Sequence, residues 1–375
     1  MELPRVRAEH APYRTASGSV RMGGGITGIA AELSDPTGWR WLLLTLLDGT
    51  RTAKQVAAEV RAVHPGRTAG EVFREITALA ADGRLEDAAA TPPAGISPAE
   101  VERYRRPVEY WSWVDRTDRA PWTVQLALSR AAVTVVGVGG AGSTAALVLA
   151  AAGVGRLHLV DPDSVETSNL SRQTLFSAGD VGRLKVEVAA EHLRGQNPHI
   201  TVTPATDHVT THGQFTALFK ACDVLVLCAD SPLGLRQTVN HAALATGRPW
   251  VDGGYTGPVT STALYRPGHG PCWQCLRTQE ARTHDLGVTS PGDILKALPK
   301  AIGHPVTAIT ATLSGTHAAH AAVSHITGTT PLTPGTVYTH NLVTPGRTRT
   351  ITYPRDPACP GCATPAPTTL AGESQ

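Results

Sequence analysis

The sequence predicts an α/β protein built on a doubly wound, mostly parallel sheet, with a small winged-helix-like domain in front of it. Three observations lead there. From about residue 97 onward, apolar strand-like runs alternate with helical segments, the βαβ succession of a parallel sheet. Before residue 95, three helix-like segments follow one another with no buried strand between them. The stretch Ala88-Ala89-Ala90-Thr91-Pro92-Pro93-Ala94-Gly95 separates the two parts and has the composition of a linker. The chain has 375 residues, 41% of them apolar and 17% charged, so it can fill the cores of two domains. The expected division is 1–95, 96–365 and a flexible tail over 366–375.

In the first part, Trp39–Leu47 is strongly apolar and stops at Asp48-Gly49. Thr52-Ala53-Lys54-Gln55 and Thr68-Ala69-Gly70-Glu71 are both capping-box patterns, opening helices that run to Val63 and Ala81. Val72, Phe73, Ile76, Leu79 and Ala80 repeat at helical spacing. Arg84-Leu85-Glu86-Asp87 reads as a short strand, so helices followed by a hairpin suggest the winged-helix shape. Nucleic-acid binding does not follow from it. Residues 1–95 hold eleven Arg/Lys and eleven Asp/Glu, and the third helix carries Glu71, Glu75 and Asp82 against Arg74, the wrong sign for phosphate.

In the second part, Ala132–Val138 is a continuous apolar run, as a buried parallel strand requires. A small-residue helix follows over 139–152. Leu157–Val160, Ile200–Thr203, Val224–Leu227 and Trp250–Val251 are further strands, with helices at Val186–Leu193 and Leu235–Ala245. The whole chain carries a net charge of +2, which excludes a dedicated nucleic-acid or membrane-surface binder. The charged start Met1-Glu2-Leu3-Pro4-Arg5-Val6-Arg7 is no signal peptide, and no run approaches the ~18 apolar residues of a membrane span. A soluble, cytoplasmic protein is expected.

Gly137-Val138-Gly139-Gly140-Ala141-Gly142 follows the first strand and opens a helix. Glycines there allow a tight turn and let backbone N–H groups approach phosphate at a helix N-terminus. Asp161 ends the next strand, nineteen residues after Gly142, where a carboxylate suits a ribose hydroxyl. Arg172 and Lys185 offer positive charge, and Asp230 sits at a strand end where such sheets bind ligands and where it would hold Mg²⁺. Singly, a surface Arg, a surface Lys and a helix-capping Asp are the favoured readings of these three. Hydride transfer has no need of a triphosphate clamp; attack on an α-phosphate does.

Taken together, G-x-G-G-x-G, L-V-D-P-D, S-N-L-x-R-Q, V-G-x-x-K and C-x-D resemble the ThiF/MoeB/HesA family, bacterial relatives of ubiquitin-activating enzymes. The resemblance covers about residues 97–362. It implies a Rossmann-like homodimer that adenylates a carboxy-terminal carboxylate with Mg-ATP and releases pyrophosphate. It places Gly137, Gly139, Gly140 and Gly142 on the phosphates and Asp161 on the ribose, with Asp163 beside it. It lines the triphosphate with Ser168, Asn169 and Arg172, sets Lys185 on phosphate, and gives magnesium to Asp230. Arg103-Tyr104-Arg105-Arg106 is similar to the family's R-Y-x-R segment, whose last arginine, here Arg106, reaches ATP in the other subunit. Ser231 departs from the family's usual asparagine, which alters nucleotide contacts.

Cys272-Trp273-Gln274-Cys275 and Cys359-Pro360-Gly361-Cys362 can close a Cys₄ zinc site with no open position, hence a structural one. The family has the same arrangement; a redox pair is the alternative. Leu276–Val306, the crossover segment over the substrate tail, contains no cysteine for a thioester. Cys222 and Cys228 flank a buried strand and read as core packing. His317, His320 and His325 fall on a late small-residue helix, where satisfied or exposed histidines are expected.

Leu46-Leu47-Asp48-Gly49-Thr50-Arg51-Thr52, two helices and Asp82-Gly83-Arg84-Leu85 resemble a PqqD-like leader-peptide recognition element. That resemblance implies a precursor peptide as substrate, bound as an added strand. The leading expectation is therefore an adenylyltransferase in ribosomal-peptide maturation. The alternatives are a sulfur-carrier adenylyltransferase of thiamine or molybdopterin type, acting on a small Gly-Gly carrier protein, and a non-catalytic leader-binding scaffold for a cyclodehydratase.

Overall fold

The computed structural model describes residues 1–283, 305–345 and 348–363. Contacts divide the chain into two compact units, Met1–Ala127 and Leu128–Gln375. The expected tail over 366–375 and most of the crossover segment lie outside the described residues. None of the helices described is long and apolar enough to cross a membrane.

The first unit begins with strands β1 (Pro4–Val6), β2 (Tyr13–Arg14), β3 (Val20–Met22) and β4 (Ala31–Leu33). Helices α1 (Trp39–Leu46), α2 (Ala53–Val63) and α3 (Ala69–Ala81) follow, then β5 (Leu85–Asp87), α4 (Pro98–Val114) and α5 (Trp122–Arg130). Both expected capping boxes form: Thr52 with Gln55 and Thr68 with Glu71 exchange side-chain and backbone hydrogen bonds. Val20, Met22, Trp39, Leu43, Val56, Val60, Val72 and Leu79 share one core. The guanidiniums of Arg40 and Arg67 lie 5.1 and 4.9 Å from the Trp39 ring centre, shielding the indole.

Two features differ from the sequence reading. The strand after α3 does not start a hairpin. It pairs antiparallel with β1, Pro4 opposite Asp87 and Val6 opposite Leu85. The Ala/Pro-rich run after Asp87 lacks the alternation that a return strand needs, and the Asp87 carboxylate accepts instead from the Glu2 and Leu3 amides. A three-stranded antiparallel sheet, β2-β3-β4, precedes the helices. Its strands of two or three residues are too short to show alternation. Helix α4, after the linker, belongs to this unit. Its C-terminal carbonyls at Ser112 and Asp115, and that of Arg119, accept hydrogen bonds from the buried Arg7 guanidinium. A cation there also meets the negative end of the helix.

The second unit is an eight-stranded sheet. Its elements in order are β6 (Ala132–Val136), α6 (Gly140–Ala152), β7 (Arg156–Val160), α7 (Lys185–Gln196), β8 (Thr201–Ala205), α8 (His212–Ala221) and β9 (Val224–Leu227). Then come α9 (Leu235–Thr246), β10 (Trp250–Thr256), β11 (Val259–Tyr265), α10 (Trp273–Thr283), α11 (Ala308–Thr327), β12 (Val337–Asn341) and β13 (Thr348–Ile351). The strand order is β8-β7-β6-β9-β10-β11-β12-β13. The first five are parallel and the last three are added antiparallel. β6 and β9 are buried at every position, which explains their unbroken apolar runs. The chain winds from β6 towards β7 and β8, then returns to β9 and β10. The carboxyl ends of β6 and β9 therefore form a topological switch point.

Helix α11 packs on α6 and on β10 and β11. Small residues let the two helices approach closely: a Cβ on Gly315 would stand 2.2 Å from the Ala141 carbonyl oxygen. Replacing Gly315 by Ala is expected to cost about 1–3 kcal/mol through overpacking. Urea unfolding of the full chain measures it; an unshifted midpoint would contradict this packing.

Candidate functional site

The glycine turn lies at the switch point and its shape is dictated by contact. Gly137 has φ +87°, and a Cβ there would sit 2.7 Å from the Ala229 amide nitrogen. A Cβ on Gly142 would stand 1.7 Å from the Gly137 carbonyl oxygen. Only glycine closes this turn without displacing backbone. Gly140 and Gly142 fall in the first turn of α6, whose unpaired N–H groups point out of the helix start.

Asp161, at the end of β7, holds the turn from the side. One carboxylate oxygen accepts from the Val138 amide at 2.6 Å and the other from the Asp163 amide at 2.9 Å. Burial pushes its pKa up, opposed by those two hydrogen bonds and by the Lys185 charge. An ionised carboxylate accepts about four hydrogen bonds, so lone pairs remain for a ribose.

A cavity of about 260 Å³ opens at this point. It brings together Gly137, Gly139, Asp161, Asp163, Lys185, Asp230 and Ser231 of the expected site. The Lys185 side chain, at the start of α7, is buried and its Nζ donates to the exposed Asp163 carboxylate at 2.8 Å. Gln173 supplies an unsatisfied group: its Oε1 is buried without a partner, and its Nε2 lies 3.7 Å from the Cβ position of Gly139. A buried acceptor left open beside a glycine turn suits a ligand that brings a donor.

Ser168, Asn169 and Arg172 do not line this cavity. Asn169 is buried and its Oδ1 accepts from the Glu166 amide at 3.1 Å, which shapes the loop. Arg172 donates to the Ser168 carbonyl at 2.8 Å, and its charge lies near the Tyr255 hydroxyl. The Arg172 carbonyl and the Tyr255 hydroxyl both stand 3.6 Å from the Cβ position of Gly140, so this group covers the start of α6 from the β10 side. Arg106 lies in the first unit, exposed, paired with Glu109 at 2.9 Å.

Asp230 is held by a residue the sequence reading missed. Arg236, on α9, donates to Asp230 at 3.0 Å and to both Asp252 oxygens at 2.9 and 3.1 Å. The Asp252 carboxylate, foremost, holds the Arg236 guanidinium firmly charged. Tyr255, Asp207 and His208 were also missed, and Gln173 was read only as the end of the S-N-L-x-R-Q motif; Asp207 and His208 line the cavity from beyond β8. The usable signal was position alone, since ligands in such sheets sit past the strand carboxyl ends. Cys222 is buried as expected, whereas Cys228 forms part of the cavity wall. Burial pushes the Cys228 thiol up to about 12, which leaves it a poor nucleophile.

The two C-x-x-C pairs converge. All four Sγ atoms lie within 4.8 Å of one another. Cys272 and Cys275 are 3.9 Å apart, Cys272 and Cys359 3.7 Å, Cys275 and Cys362 3.4 Å. Tetrahedral thiolates at a Zn–S distance of ~2.3 Å are separated by about 3.8 Å, so the set fits zinc. Asn240 on α9 braces it, donating to Cys272 Sγ at 3.7 Å and accepting from the Trp273 amide.

Removing Arg236 strands the little-exposed Asp252 carboxylate. Arg236→Met is expected to destabilise the chain by on the order of 3 kcal/mol, and the added change Asp252→Asn to return much of that loss. Chemical denaturation of both variants decides; a single variant as stable as the parent would remove the clamp from the account.

A model described as the ThiF family matches residues 114–361. Among curated relatives, adenylyltransferase and sulfurtransferase uba4 of Aspergillus fumigatus is 38% identical over 179 residues, covering 46% of this chain and 36% of that protein. Adenylyltransferase and sulfurtransferase MOCS3 of Bos taurus is 34% identical over 212 residues, covering 56% and 45%. The chain thus spans less than half the length of these relatives. Among solved structures, E. coli MccB has a TM-score of 0.79 at 22% identity, covering 98% of each chain. PaaA has a TM-score of 0.70 at 22% identity, covering 93% of this chain and 99% of its own. With the family model covering well over half of its length, the chain belongs to the ThiF family.

Proposed function

We propose that the chain is an ATP-dependent adenylyltransferase that activates a carboxylate as an acyl-adenylate. One observation carries this: the glycine turn, Asp161, Lys185 and Asp230 line a single cavity at the switch point of the sheet. Family membership supports it, as do relatives described as adenylyltransferases and an MccB structure described with ATP.

In this reading a carboxylate oxygen attacks the α-phosphorus, the bond to the bridging oxygen breaks, and that electron pair leaves with pyrophosphate. Charge grows on phosphoryl oxygens. The α6 amides after Gly139 and the Lys185 ammonium meet it with fixed positive ends. Asp161 accepts from the ribose with its spare lone pairs. Ser231 contacts the nucleotide from the end of β9. Asp163 keeps Lys185 aimed at the cavity until phosphate replaces it. Arg172, steadied by Ser168 and Tyr255, approaches the triphosphate from the start of α6. Asp230 supplies a hard oxygen donor for Mg²⁺, which would screen the phosphates, while Arg236 fixes that carboxylate from behind. In a homodimer, Arg106 reaches ATP on the other copy of the chain. The four cysteines hold a structural Zn²⁺ that ties residues 359–362 to α10.

The acceptor we favour is a precursor peptide in ribosomal-peptide maturation. Residues 1–95 then serve as the recognition domain and 96–365 as the adenylation domain. Two findings support this. The first unit presents a three-stranded sheet followed by three helices, whose outer strands offer an edge for an added peptide strand. The solved neighbours extend over nearly the whole chain, well before residue 114, and one is described as a Microcin C7 biosynthetic enzyme in complex with N-formylated MccA. The curated relatives favour a second reading, a sulfur-carrier adenylyltransferase, because their names pair adenylyl transfer with sulfur transfer.

ATP–pyrophosphate exchange tests the reaction. Exchange is expected with a precursor peptide in preference to a Gly-Gly carrier. It should fall roughly 100-fold in Lys185→Met and in Asp230→Ala. Exchange that these variants leave intact would refute the roles given to this cavity, and preference for the carrier would select the second reading. For the metal, elemental analysis should find one zinc per chain, with chelation lowering the melting temperature. Metal-free protein of equal stability would dismiss the site.

A further inference from the structure

We propose that a second ligand site, for a small anion of the carboxylate or phosphate class, lies between α11 and the antiparallel strands β11–β13. A cavity of about 470 Å³ opens there and shares no lining residue with the nucleotide cavity. Its wall is largely apolar, with Pro331 and Leu332 in it, and carries hydrogen-bond donors from histidine, threonine, Tyr338 and Arg349. Helix α11 contains no Asp, Glu, Lys or Arg; its titratable side chains are His317, His320 and His325. The first two lie one turn apart and face this cavity. His340, on β12, meets them from the sheet, its ring edge-on to His317 with 6.5 Å between centres.

Strand register completes the wall. Thr262 stands opposite Tyr338, and Tyr338 opposite Thr350, so the three share one face of the sheet. In the next row His340 stands opposite Thr348 on that same face. Thr262 is 2% exposed, and its hydroxyl is buried without a partner. A buried hydroxyl left open costs stability unless something fills the need, and here it lines a cavity. The Tyr338 hydroxyl accepts from the Thr333 amide at 3.0 Å, which leaves its own hydrogen to give.

The chemistry of the wall selects the ligand. No carboxylate lines the cavity among the described residues, so a cation finds no counter-charge. The three imidazoles do not converge as metal ligands; the cluster of that kind found among the described residues is the four cysteines. Desolvation lowers the pKa of the half-buried His317 and of His320, which is more exposed and whose Nε2 lies 3.4 Å from the Thr330 hydroxyl. An anion is offered imidazole and hydroxyl donors without opposing negative charge. Free phosphate and the carboxyl end of a peptide share that chemistry.

Histidine side-chain NMR of the full chain tests the site. The probes are inorganic phosphate and N-acetylglycine, with N-acetylglycinamide and sodium chloride at matched ionic strength as controls. Saturable shifts at His317, His320 and His340 with either anion, absent in both controls, support the site; the anion that saturates names the source. His340→Phe, which keeps a ring but has no N–H, should weaken that binding by about five-fold or more, as loss of one good donor implies. Thr262→Val should weaken it similarly while leaving the unliganded melting temperature equal or higher, an outcome a purely structural threonine would not give. Shifts that never saturate, shifts equal in the controls, or affinity unchanged in His340→Phe would overturn the proposal.

Discussion

The Asp161 carboxylate is the constraint on which the rest of the second unit depends. It ties the end of one parallel strand to the turn that follows its neighbour, through the Val138 amide. The turn can accept that tie because Gly142 lets the helix start press against Gly137. Sequence, turn and helix start are thus one object. Its apolar support is the pair of fully buried strands on which it sits. Burial of the carboxylate costs free energy, and two backbone hydrogen bonds with a neighbouring ammonium offset it.

Around that object, charged groups are fastened before any ligand arrives. Lys185 is held by Asp163, Asp230 by Arg236, and Arg236 in turn by Asp252. The pairs with an exposed carboxylate contribute little stability, whereas the little-exposed Arg236–Asp252 pair contributes more. Their consequence here is orientation, since each fixes a charge at the rim of a cavity without neutralising it by burial. Preorganised charge of this kind is what a reaction that separates pyrophosphate from ATP requires.

Much of this was legible in the sequence, and the reasons are physical. The parallel strands announced themselves because burial on both faces forces unbroken apolar runs. The helices α2 and α3 were bounded by capping residues that the structure uses as read. Glycines and Asp161 were legible because a tight turn admits few alternatives. What escaped was set by long-range pairing. The strands β11 to β13 mix threonine, isolated aromatics and scattered aliphatics, with no periodicity that separates them from loop. β5 was seen but given the wrong partner, since its mate lies at the other end of the unit. Arg236 and Tyr255 were invisible as site residues because nothing local marks a side chain that acts across the sheet, and Gln173 stood in the S-N-L-x-R-Q motif without a role of its own. Cys228 was read as core, although its backbone continues β9 into the cavity wall.

The most direct test of the central claim follows oxygen. Adenylation joins a carboxylate oxygen to the α-phosphorus, so an acceptor labelled with ¹⁸O in its carboxyl group should pass one heavy oxygen to AMP when the adenylate is consumed. Mass spectrometry of the nucleotide products reads this. The account expects singly labelled AMP and unlabelled pyrophosphate. Turnover that yields ADP, or AMP carrying no label from the acceptor, would contradict it.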